Sequence, residues 1–380
     1  MRVVLTGISG LSKADILDRI CTFCNCKDKK GSGADLDVVL DSVAFENASV
    51  DVAFDLEHEM CSREELRVPN YLDVPEKNLL NAKNRTLDRI IQESERKENV
   101  ILAMHAVYYR RSSLFCLLDW KRLAEFKPDI FVTVIDDVYM IKNRIQHNPN
   151  AGPVRYISLK DILWWREVES LVAQQIARNI HRKGIPHYLI AREQIPTLIY
   201  QLMFESNKKK VYASYPVTSA KSDPALLSET SEFLRKLKRH FIVFDPMAIG
   251  EKLLQDALIE NLRTPHPEPY IRIRRGKEEF EYDVGDVLPV ISDINGQIVS
   301  RDERLIIQSD IVIGYRPTLS PGAQHELRYA RNTSRVEALV VHPSEDGHSP
   351  FVYELADEIH PTVDRLLESL QKKGYFSKQP

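Results

Sequence analysis

The sequence predicts an α/β protein with two domains, each built on a parallel β-sheet that helices cover on both faces. Its 380 residues correspond to two or three domains at about 150 residues per domain. Short, almost wholly apolar runs such as 130–135 alternate with amphipathic stretches such as 79–94, as buried parallel strands alternate with covering helices. A polar, basic stretch at 206–210 separates two such series, so we place one domain at 1–207 and the other at 208–380.

Composition excludes several classes of protein. Hydrophobic residues make up 43% and charged residues 28% of the chain, the balance of a soluble globular protein. The 52 basic and 55 acidic side chains give a net charge of -3, so bulk binding to nucleic acid is not expected. No apolar run approaches the ~20 residues that span a bilayer, and the apolar start of the chain favours a buried strand over a signal peptide. Five cysteines make no disulfide framework, so we expect a cytoplasmic protein without a membrane partner.

Apolar runs predict the strands, and apolar residues three or four positions apart predict the helices. In the first domain, strands are predicted at 3–5, 52–54, 100–103, 130–135 and 188–190, and helices at 13–24, 79–94 and 162–180. In the second domain, strands are predicted at 211–216, 241–244, 311–313 and 338–341, and helices at 224–239, 302–308, 322–332 and 361–372, with another that ends near 261. Residues 263–300 interrupt this alternation with prolines at 265, 267 and 269, a basic run and an acidic stretch, which indicates an inserted β-ribbon or lid.

A glycine loop follows the first strand and opens a helix. Backbone N–H groups and a helix N-terminus at such a place can cradle phosphate, so the candidate nucleotide-binding residues are Gly7, Gly10, Ser12 and Lys13. Ser12 stands where a phosphate loop has glycine. Ala14 stands where the loop has the hydroxyl that binds Mg²⁺.

Residues 1–200 resemble archaeal-type adenylate kinases and related P-loop nucleotide kinases. The glycine loop carries this resemblance together with segments 103–106, 126–130 and 141–144. The resemblance implies a P-loop kinase-like domain that binds ATP or another nucleotide. In that family an aspartate of the magnesium site occupies the position of Ala103. Two magnesium-side groups are therefore missing, which favours a degenerate domain that binds nucleotide or is purely structural. The alternative for Lys13 is a solvated lysine at a helix start.

Closely spaced cysteines invite a zinc interpretation. Cys21, Cys24 and Cys26 would need Cys61 or His58 as the fourth ligand, and a helix would place the first two on one face. Structural zinc sites ordinarily have a second paired knuckle, which this sequence lacks. Free cysteines near a helix end are more often small buried hydrophobic residues, so no metal is expected.

The second domain carries a pair of carboxylates, Asp302 and Glu326, on either side of an apolar strand. The loop after that strand lies at the carboxyl end of a parallel sheet, where ligands bind in open α/β folds. Ser320 and Pro321 form a good N-cap and first-turn pair for the helix that presents Glu326. The N-terminus of that helix can receive an anion.

These residues resemble the nucleoside 2-deoxyribosyltransferase superfamily, which includes the 2'-deoxynucleoside 5'-monophosphate N-glycosidases. The resemblance covers about 210–345, interrupted by 263–300, and implies a flavodoxin-like deoxyribosyltransferase domain. Segment 212–216 is similar to the opening strand of the family. Asp302 and Ser320 precede Glu326 by 24 and six positions, as the acidic helper and the phosphate-contacting serine precede the family's glutamate. Gly322 falls where the family has a loop glycine.

The resemblance implies glycosyl transfer through a covalent intermediate, with no cofactor. Glu326 would attack C1' of the sugar, and Asp302 would donate a proton to the base or orient the substrate. Two carboxylates in such a reaction need different environments. The substrate-binding residues implied beside them are Tyr212, Pro216, Ser320, Gly322 and Arg316, of which Ser320 would hold a 5'-phosphate and Arg316 would read a phosphate or a carboxylate.

The leading hypothesis is therefore an N-glycosidase or deoxyribosyltransferase acting on nucleosides or nucleoside monophosphates, with hydrolysis favoured. A nucleotide sensor without turnover and an active nucleotide kinase with a regulatory C-terminal domain are the alternatives. Simpler alternatives stay open for individual residues: that Glu326 is a solvated helix residue, and that Asp302 or Ser320 is a simple N-cap. The family resemblance alone implies a homo-oligomer.

Overall fold

The computed structural model describes residues 1–24, 49–63, 71–148, 152–217, 223–276, 278–315, 320–343 and 350–377. It confirms the predicted fold class, because it contains two five-stranded parallel sheets flanked by helices. The chain divides into two compact units. The first joins Met1–Met203 to Ile249–Asn295, and the second joins Phe204–Ala248 to Gly296–Pro380.

Fourteen strands lie in the described residues. In chain order they are β1 (Arg2–Thr6), β2 (Val52–Asp55), β3 (Val100–Met104), β4 (Tyr108–Arg110), β5 (Ser113–Phe115), β6 (Ile130–Ile135), β7 (His187–Ala191), β8 (Lys210–Ser214), β9 (Ile242–Phe244), β10 (Tyr270–Arg275), β11 (Glu278–Asp283), β12 (Ile311–Tyr315), β13 (Glu337–Val341) and β14 (Glu358–His360). The first unit has the sheet order β2-β3-β1-β6-β7 and the second has β14-β13-β12-β8-β9.

Helices cover both sheets. The described α-helices are α1 (Lys13–Phe23), α2 (Leu56–Arg63), α3 (Glu76–Ser94), α4 (Trp120–Glu125), α5 (Val138–His147), α6 (Leu159–Asn179), α7 (Thr197–Phe204), α8 (Pro224–Lys238), α9 (Lys252–Arg263), α10 (Val284–Val287), α11 (Ile291–Ile307), α12 (Pro321–Arg328), α13 (Pro350–Tyr353) and α14 (Val363–Lys372). Short 3₁₀ turns lie at Tyr71–Asp73, Gly152–Tyr156, Arg192–Gln194, Pro246–Ala248 and Leu288–Val290, and a π-helical turn lies at Tyr329–Ser334. No helix in the described ranges combines the length and apolarity needed to cross a membrane.

The interrupting segment contains the ribbon that the sequence predicts, since β10 and β11 pair antiparallel. Its residues up to Asn295 belong to the first unit, although the sequence predicts the segment as an insertion of the second domain. Two ion pairs join residues 249–295 to the rest of the unit: Arg166 of α6 donates to the buried Glu251, and Arg275 of β10 pairs with the fully buried Asp137 that follows β6. Residues far apart in sequence thus complete the first unit.

The second unit has its strands in the spatial order second, first, third, fourth and fifth along the chain, the flavodoxin-like order. Every pairing in this sheet is parallel. In such a sheet the switch point lies between the first and third strands, here β8 and β12, and ligands bind outside the carboxyl ends of the strands. The fold therefore directs attention to the residues that end β8 and follow β12.

Two predicted helix boundaries are wrong, and both concern the candidate site. The helix predicted from residue 302 begins at Ile291, so Asp302 lies inside α11 and is not an N-cap. The helix predicted to run to 332 ends at Arg328 and continues as a π-helical turn. Such turns are rare and occur often beside functional sites.

The buried Arg166–Glu251 pair should carry much of the stability of the first unit. Replacing Glu251 by Gln leaves the guanidinium of Arg166 buried without its counter-charge, which costs about 3–5 kcal/mol. Urea unfolding measures this change. The control is Glu281→Gln, because Glu281 and Arg272 form a pair in which both side chains are more than half exposed and whose loss should leave the midpoint nearly unchanged. Equal midpoint shifts in the two variants would contradict the assignment.

Candidate active site

Strand β8 presents two polar side chains on one face of the second sheet. Val211, Ala213 and Tyr215 pack in the core of the unit, and alternation along the strand turns Tyr212 and Ser214 to the opposite face. Both residues are fully buried. The face that carries them thus holds a phenol and a hydroxyl in a position shielded from water.

Helix α12 brings Glu326 to this face. Gly314 of β12 lies opposite Ser214 in the strand register, and a Cβ at Gly314 would come within 3.3 Å of the Leu327 side chain. The glycine therefore allows the helix to approach the sheet closely. The half-buried Glu326 carboxylate accepts a hydrogen bond from the Ser214 hydroxyl at 2.5 Å, so Glu326 is not the solvated helix residue of the alternative hypothesis.

Helix α11 supplies the second carboxylate. Nε and Nη2 of Arg301 each lie 2.9 Å from Oδ1 of Asp302. Both side chains are largely buried, with 9% of Arg301 and 15% of Asp302 exposed. Asp302, Tyr212 and Arg301 all interact with Glu326, and Ser214 hydrogen-bonds to it, so these residues form one cluster; sequence reasoning did not single out Arg301 or Ser214.

Electrostatics set the charge of this cluster. Burial, and then the neighbouring Asp302 carboxylate, raise the pKa of Glu326 to about 7, against the opposing effects of the Ser214 hydrogen bond and Arg301. Burial is also the largest cause that raises the pKa of Tyr212 well above 10, followed by Asp302 and Glu326. The Tyr212 hydroxyl meets no hydrogen-bond partner of strict geometry among the described residues, but it interacts with the Glu326 carboxylate and also acts to lower the pKa of Glu326. The site therefore holds a neutral buried phenol beside two interacting carboxylates.

Sequence reasoning also missed Tyr215 and Asp245. The Tyr215 hydroxyl donates to Asp245, which follows β9 and accepts a further hydrogen bond from the Met247 amide at 3.0 Å. Burial and then Asp245 raise the pKa of Tyr215. The signal available in the sequence was that Asp245 directly follows a short apolar strand, at the carboxyl edge where ligands bind.

The remaining predicted substrate-binding residues lie just after β8, at the start of α12, or outside the described residues. Pro216 is buried just after β8, and Gly322 is exposed in the first turn of α12. Ser320 is the N-cap residue of α12, but its side chain accepts no hydrogen bond from the amides of that helix. Arg316 falls outside the described residues.

The glycine loop of the first unit has the backbone of a tight turn. Gly10 has a φ of +84°, and a Cβ there would come within 2.8 Å of the Ile141 carbonyl oxygen. Ser12 also has a left-handed φ of 55°, the conformation that the expected glycine adopts easily. Lys13 is not the solvated lysine of the alternative hypothesis. It is buried, with its Nζ 2.7 Å from Nε2 of His105 and 3.3 Å from the Gly7 carbonyl.

Internal carboxylates surround this loop. Glu169 of α6 accepts hydrogen bonds from the amides of Gly7 and Ala106 at 2.9 Å and of Val107 at 2.6 Å, and burial raises its pKa to about 7. Glu57 lies 3.8 Å from Lys13. Burial opposes the charge on Glu57, but Lys13 and other neighbours outweigh it and lower its pKa to about 2. The Gly7, Ala106 and Val107 amides thus find their acceptor within the protein, whereas Glu57 Oε2 and His105 Nδ1 are buried without a hydrogen-bond partner among the described residues.

The zinc hypothesis rests partly on residues that are not described. Cys21 and Cys24 are buried in and just after α1, and Cys26 lies outside the described residues. In the portion of the chain that the structure describes, no group of three or more His, Cys, Asp or Glu side chains could hold a metal ion.

The comparisons with known proteins do not assign this chain to a family. No protein-family model matches the chain, and no curated protein matches it. One similar solved structure is that of Sir2 in complex with an inhibitor, 2'-O-acetyl-ADP-ribose and a deacetylated peptide, at 14% identity. The match covers 44% of this chain and 95% of that chain with a TM-score of 0.19, which carries no argument about the fold or the site.

The raised pKa of Glu326 predicts a pH-dependent gain in stability for Glu326→Gln. The folded pKa of about 7 exceeds the ordinary 4.5, so wild-type stability falls as pH rises from about 4.5 to 7 and stays lowered above that range. The neutral amide avoids this loss, so the variant should gain about 1–3 kcal/mol at pH 8 and little at pH 5. Thermal unfolding at the two pH values measures the difference. Glu303→Gln on α11 is the control, and an equal gain at both pH values would contradict the assignment.

Proposed function

We propose that the chain cleaves the N-glycosidic bond of (deoxy)nucleosides or nucleoside monophosphates, as an N-glycosidase or a deoxyribosyltransferase, with hydrolysis favoured. The observation that supports this proposal most is the half-buried Glu326 carboxylate, which accepts a hydrogen bond from Ser214 and interacts with Asp302. It lies at the switch point of a flavodoxin-like sheet. Two carboxylates in different environments are the requirement of a retaining glycosyl transfer.

In the proposed reaction Glu326 attacks C1' of the sugar. Because Ser214 engages Oε2, we assign the attack to Oε1. The bond from C1' to the base nitrogen breaks as the ester forms, and the base leaves with a proton. Water, or a second base in a transfer reaction, then cleaves the ester and restores the carboxyl group. The fully buried Tyr212 would line the sugar pocket and exclude water from the intermediate.

A 5'-phosphate is the group that the start of α12 would hold. The Ser320 hydroxyl is not used as a helix cap, so it is available to a ligand together with the first amides of the helix. A helix N-terminus favours an anion. These features support a nucleoside monophosphate over a nucleoside as the substrate.

For the first unit we propose a nucleotide-binding or structural role without phosphoryl transfer. Ala14 and Ala103 stand where the kinase resemblance expects a hydroxyl and a carboxylate for magnesium. The amine of Lys13 already contacts His105 and the Gly7 carbonyl. Kinases depend on metal ions to offset the charge that develops on the transferred phosphoryl group. The degenerate loop therefore supports a nucleotide-binding or structural role without phosphoryl transfer.

The nucleophile assignment predicts a large loss of base release in Glu326→Gln. The amide cannot form the ester, so release should fall by several orders of magnitude while the fold persists. Incubation of the full chain with a panel of nucleosides and nucleotides, followed by chromatography for free base, measures this loss. Glu303→Gln, which only removes a surface carboxylate facing His325, should keep wild-type activity.

The same panel separates the alternative functions. Normal turnover by Glu326→Gln would exclude this residue as the nucleophile. Tight nucleotide binding by the wild-type protein with no product would instead identify a sensor. Formation of ADP in the presence of magnesium would identify a kinase.

The phosphate assignment predicts a selective effect of Ser320→Ala. A hydrogen bond to a charged group contributes ~1.5–3 kcal/mol, so kcat/KM for the monophosphate should fall roughly 10- to 150-fold. The nucleoside, which has no phosphate, should be cleaved as before. Thr362→Ala is the matched control, because the Thr362 side chain does cap its helix by accepting from the Arg365 amide at 3.2 Å. It should lower stability and leave both substrates unaffected. Equal losses on both substrates in Ser320→Ala would exclude the phosphate contact.

A further inference from the structure

We propose that the glycine loop of the first unit binds the phosphate chain of a nucleotide without magnesium, and that the buried amines of Lys13 and Lys83 supply the positive charge that metal ions supply in kinases. This inference rests on the proposed function and deepens it, because it selects nucleotide binding over a purely structural role for this unit. It also accounts for the absence of phosphoryl transfer.

Magnesium does not fit the residues at this loop. Mg²⁺ prefers oxygen ligands in octahedral geometry, but alanines stand at 14 and 103, where the kinase resemblance expects a hydroxyl and a carboxylate. Asp55 lies opposite Ala103 in the strand register, but burial and then the neighbouring Glu57 raise its pKa, which disfavours the anion that a metal needs. Over the ranges that the structure describes, no set of three or more acidic, His or Cys side chains could hold a metal ion.

The carboxylates of Glu57 and Glu169 do not replace the missing ligands. Oε1 of Glu57 accepts hydrogen bonds from the Tyr108 hydroxyl at 2.7 Å and from the His105 amide at 3.1 Å, while Oε2 lies 3.8 Å from the Lys13 amine. Glu169 accepts the three backbone amides beside the loop. A divalent cation at Glu57 would also be repelled by the ammonium group next to it.

Two buried amines contact the same residue at the base of the loop. Only 8% of Lys13 and 2% of Lys83 is exposed. Lys13 Nζ uses two of its three N–H donors, on Nε2 of His105 and on the Gly7 carbonyl. Lys83 Nζ uses one, on the His105 carbonyl at 3.2 Å, and lies 4.7 Å from the centre of the Tyr108 ring. Each amine therefore keeps N–H donors that a ligand oxygen can accept.

The His105 ring adds a neutral donor. A lysine ammonium only donates, so Nε2 accepts from Lys13 and the ring proton lies on Nδ1. Burial, and then Lys13, lower the pKa of His105 to about 3, so the ring is uncharged at neutral pH. Nδ1 is buried and meets no acceptor among the described residues. A buried donor without an acceptor costs free energy, which a ligand oxygen would recover.

Two arginines fix the orientation of the loop backbone. Arg144 donates to the Gly10 carbonyl at 2.8 Å, and Arg192 donates to the Leu11 carbonyl at 2.9 Å. In a trans peptide the N–H points opposite to the carbonyl, so the amides of Leu11 and Ser12 face away from these guanidinium groups. Ser12 is the N-cap residue of α1, but its side chain caps no amide of the helix. The first amides of α1 are therefore available to an anion.

Electrostatics at the base of the loop favours an anion over a second cation. Burial is the largest cause that lowers the pKa of Lys83, and Glu57, its strongest opposing neighbour, compensates for this only in part. A phosphate group beside the amine would stabilise the charged form of Lys83 and would be stabilised by it. The lysines thus offer a phosphate the positive charge that the missing metal ligands cannot hold.

Calorimetric titration of the full chain with ATP, and with inorganic tripolyphosphate as a probe without a base, tests this proposal. Binding in EDTA should be at least as tight as binding with excess magnesium, because the metal offsets phosphate charge that the amines would otherwise meet. Lys83→Met should weaken binding about 10- to 150-fold, as expected for the loss of a hydrogen bond between charged groups. Lys77→Met is the matched control, since Lys77 is exposed on the same helix, and it should bind as the wild type does.

The outcomes separate this proposal from the proposed function. Binding that requires magnesium would overturn the proposal and keep the nucleotide-binding role, and loss of that binding in Asp55→Asn would assign the metal to Asp55. Unchanged binding in a folded Lys83→Met protein would also overturn the proposal. No binding of either probe in either buffer would overturn the nucleotide-binding role itself and leave the structural one. The wild-type comparison between EDTA and magnesium decides the question even if Lys83→Met does not fold.

Discussion

A carboxylate taken out of water must be hydrogen-bonded, paired or protonated, and this constraint shapes both units. In the first unit Glu169 is buried but accepts three backbone amides around the glycine loop, so it acts as part of the framework. In the second unit Glu326 accepts a hydrogen bond from the Ser214 hydroxyl and interacts with the Tyr212 hydroxyl and with a second carboxylate, that of Asp302. Its charge is therefore only partly compensated. Burying a partly compensated carboxylate costs free energy. Such costs are typical of functional sites, where a reactive group is held in a state of raised free energy.

The backbone of the second sheet explains how Glu326 is held there. Alternation along β8 places Ser214 on the face away from the core, and the register sets it beside Gly314 of β12. The absent side chain at Gly314 lets Leu327 pack against the strand, and its neighbour Glu326 then reaches Ser214. The carboxylate is positioned by elements of regular structure and by packing. Such support holds a reacting group more accurately than a loop does.

The sequence predicts the fold class correctly because continuous apolar strands alternate with amphipathic helices, and that pattern depends only on local chemistry. It also predicts that Asp302, Glu326 and Tyr212 meet, although their chemical roles stay predictions. It could not show Arg301 or Ser214, since a buried ion pair and a hydroxyl contact depend on the register of elements far apart in the chain. The start of α11 was misplaced for a related reason. Residues 291–301 mix polar and apolar side chains, and only tertiary packing makes them helical.

The position of the residues inserted into the first unit explains why the spacings from Asp302 and Ser320 to Glu326 can still be recognised in the sequence. The second unit is interrupted after β9, and Ile249–Asn295 packs in the first unit before the chain returns in α11. The interruption thus lengthens only the connection between the second and third strands of the sheet. The entropic cost of closing a longer connection grows slowly with length, and here folded structure fills it. Asp302, β12 and Glu326 all follow the return point, so their mutual spacing is unaffected. An insertion between Asp302 and Glu326 would have changed the spacing of the two carboxylates, and the sequence pattern could not have been recognised.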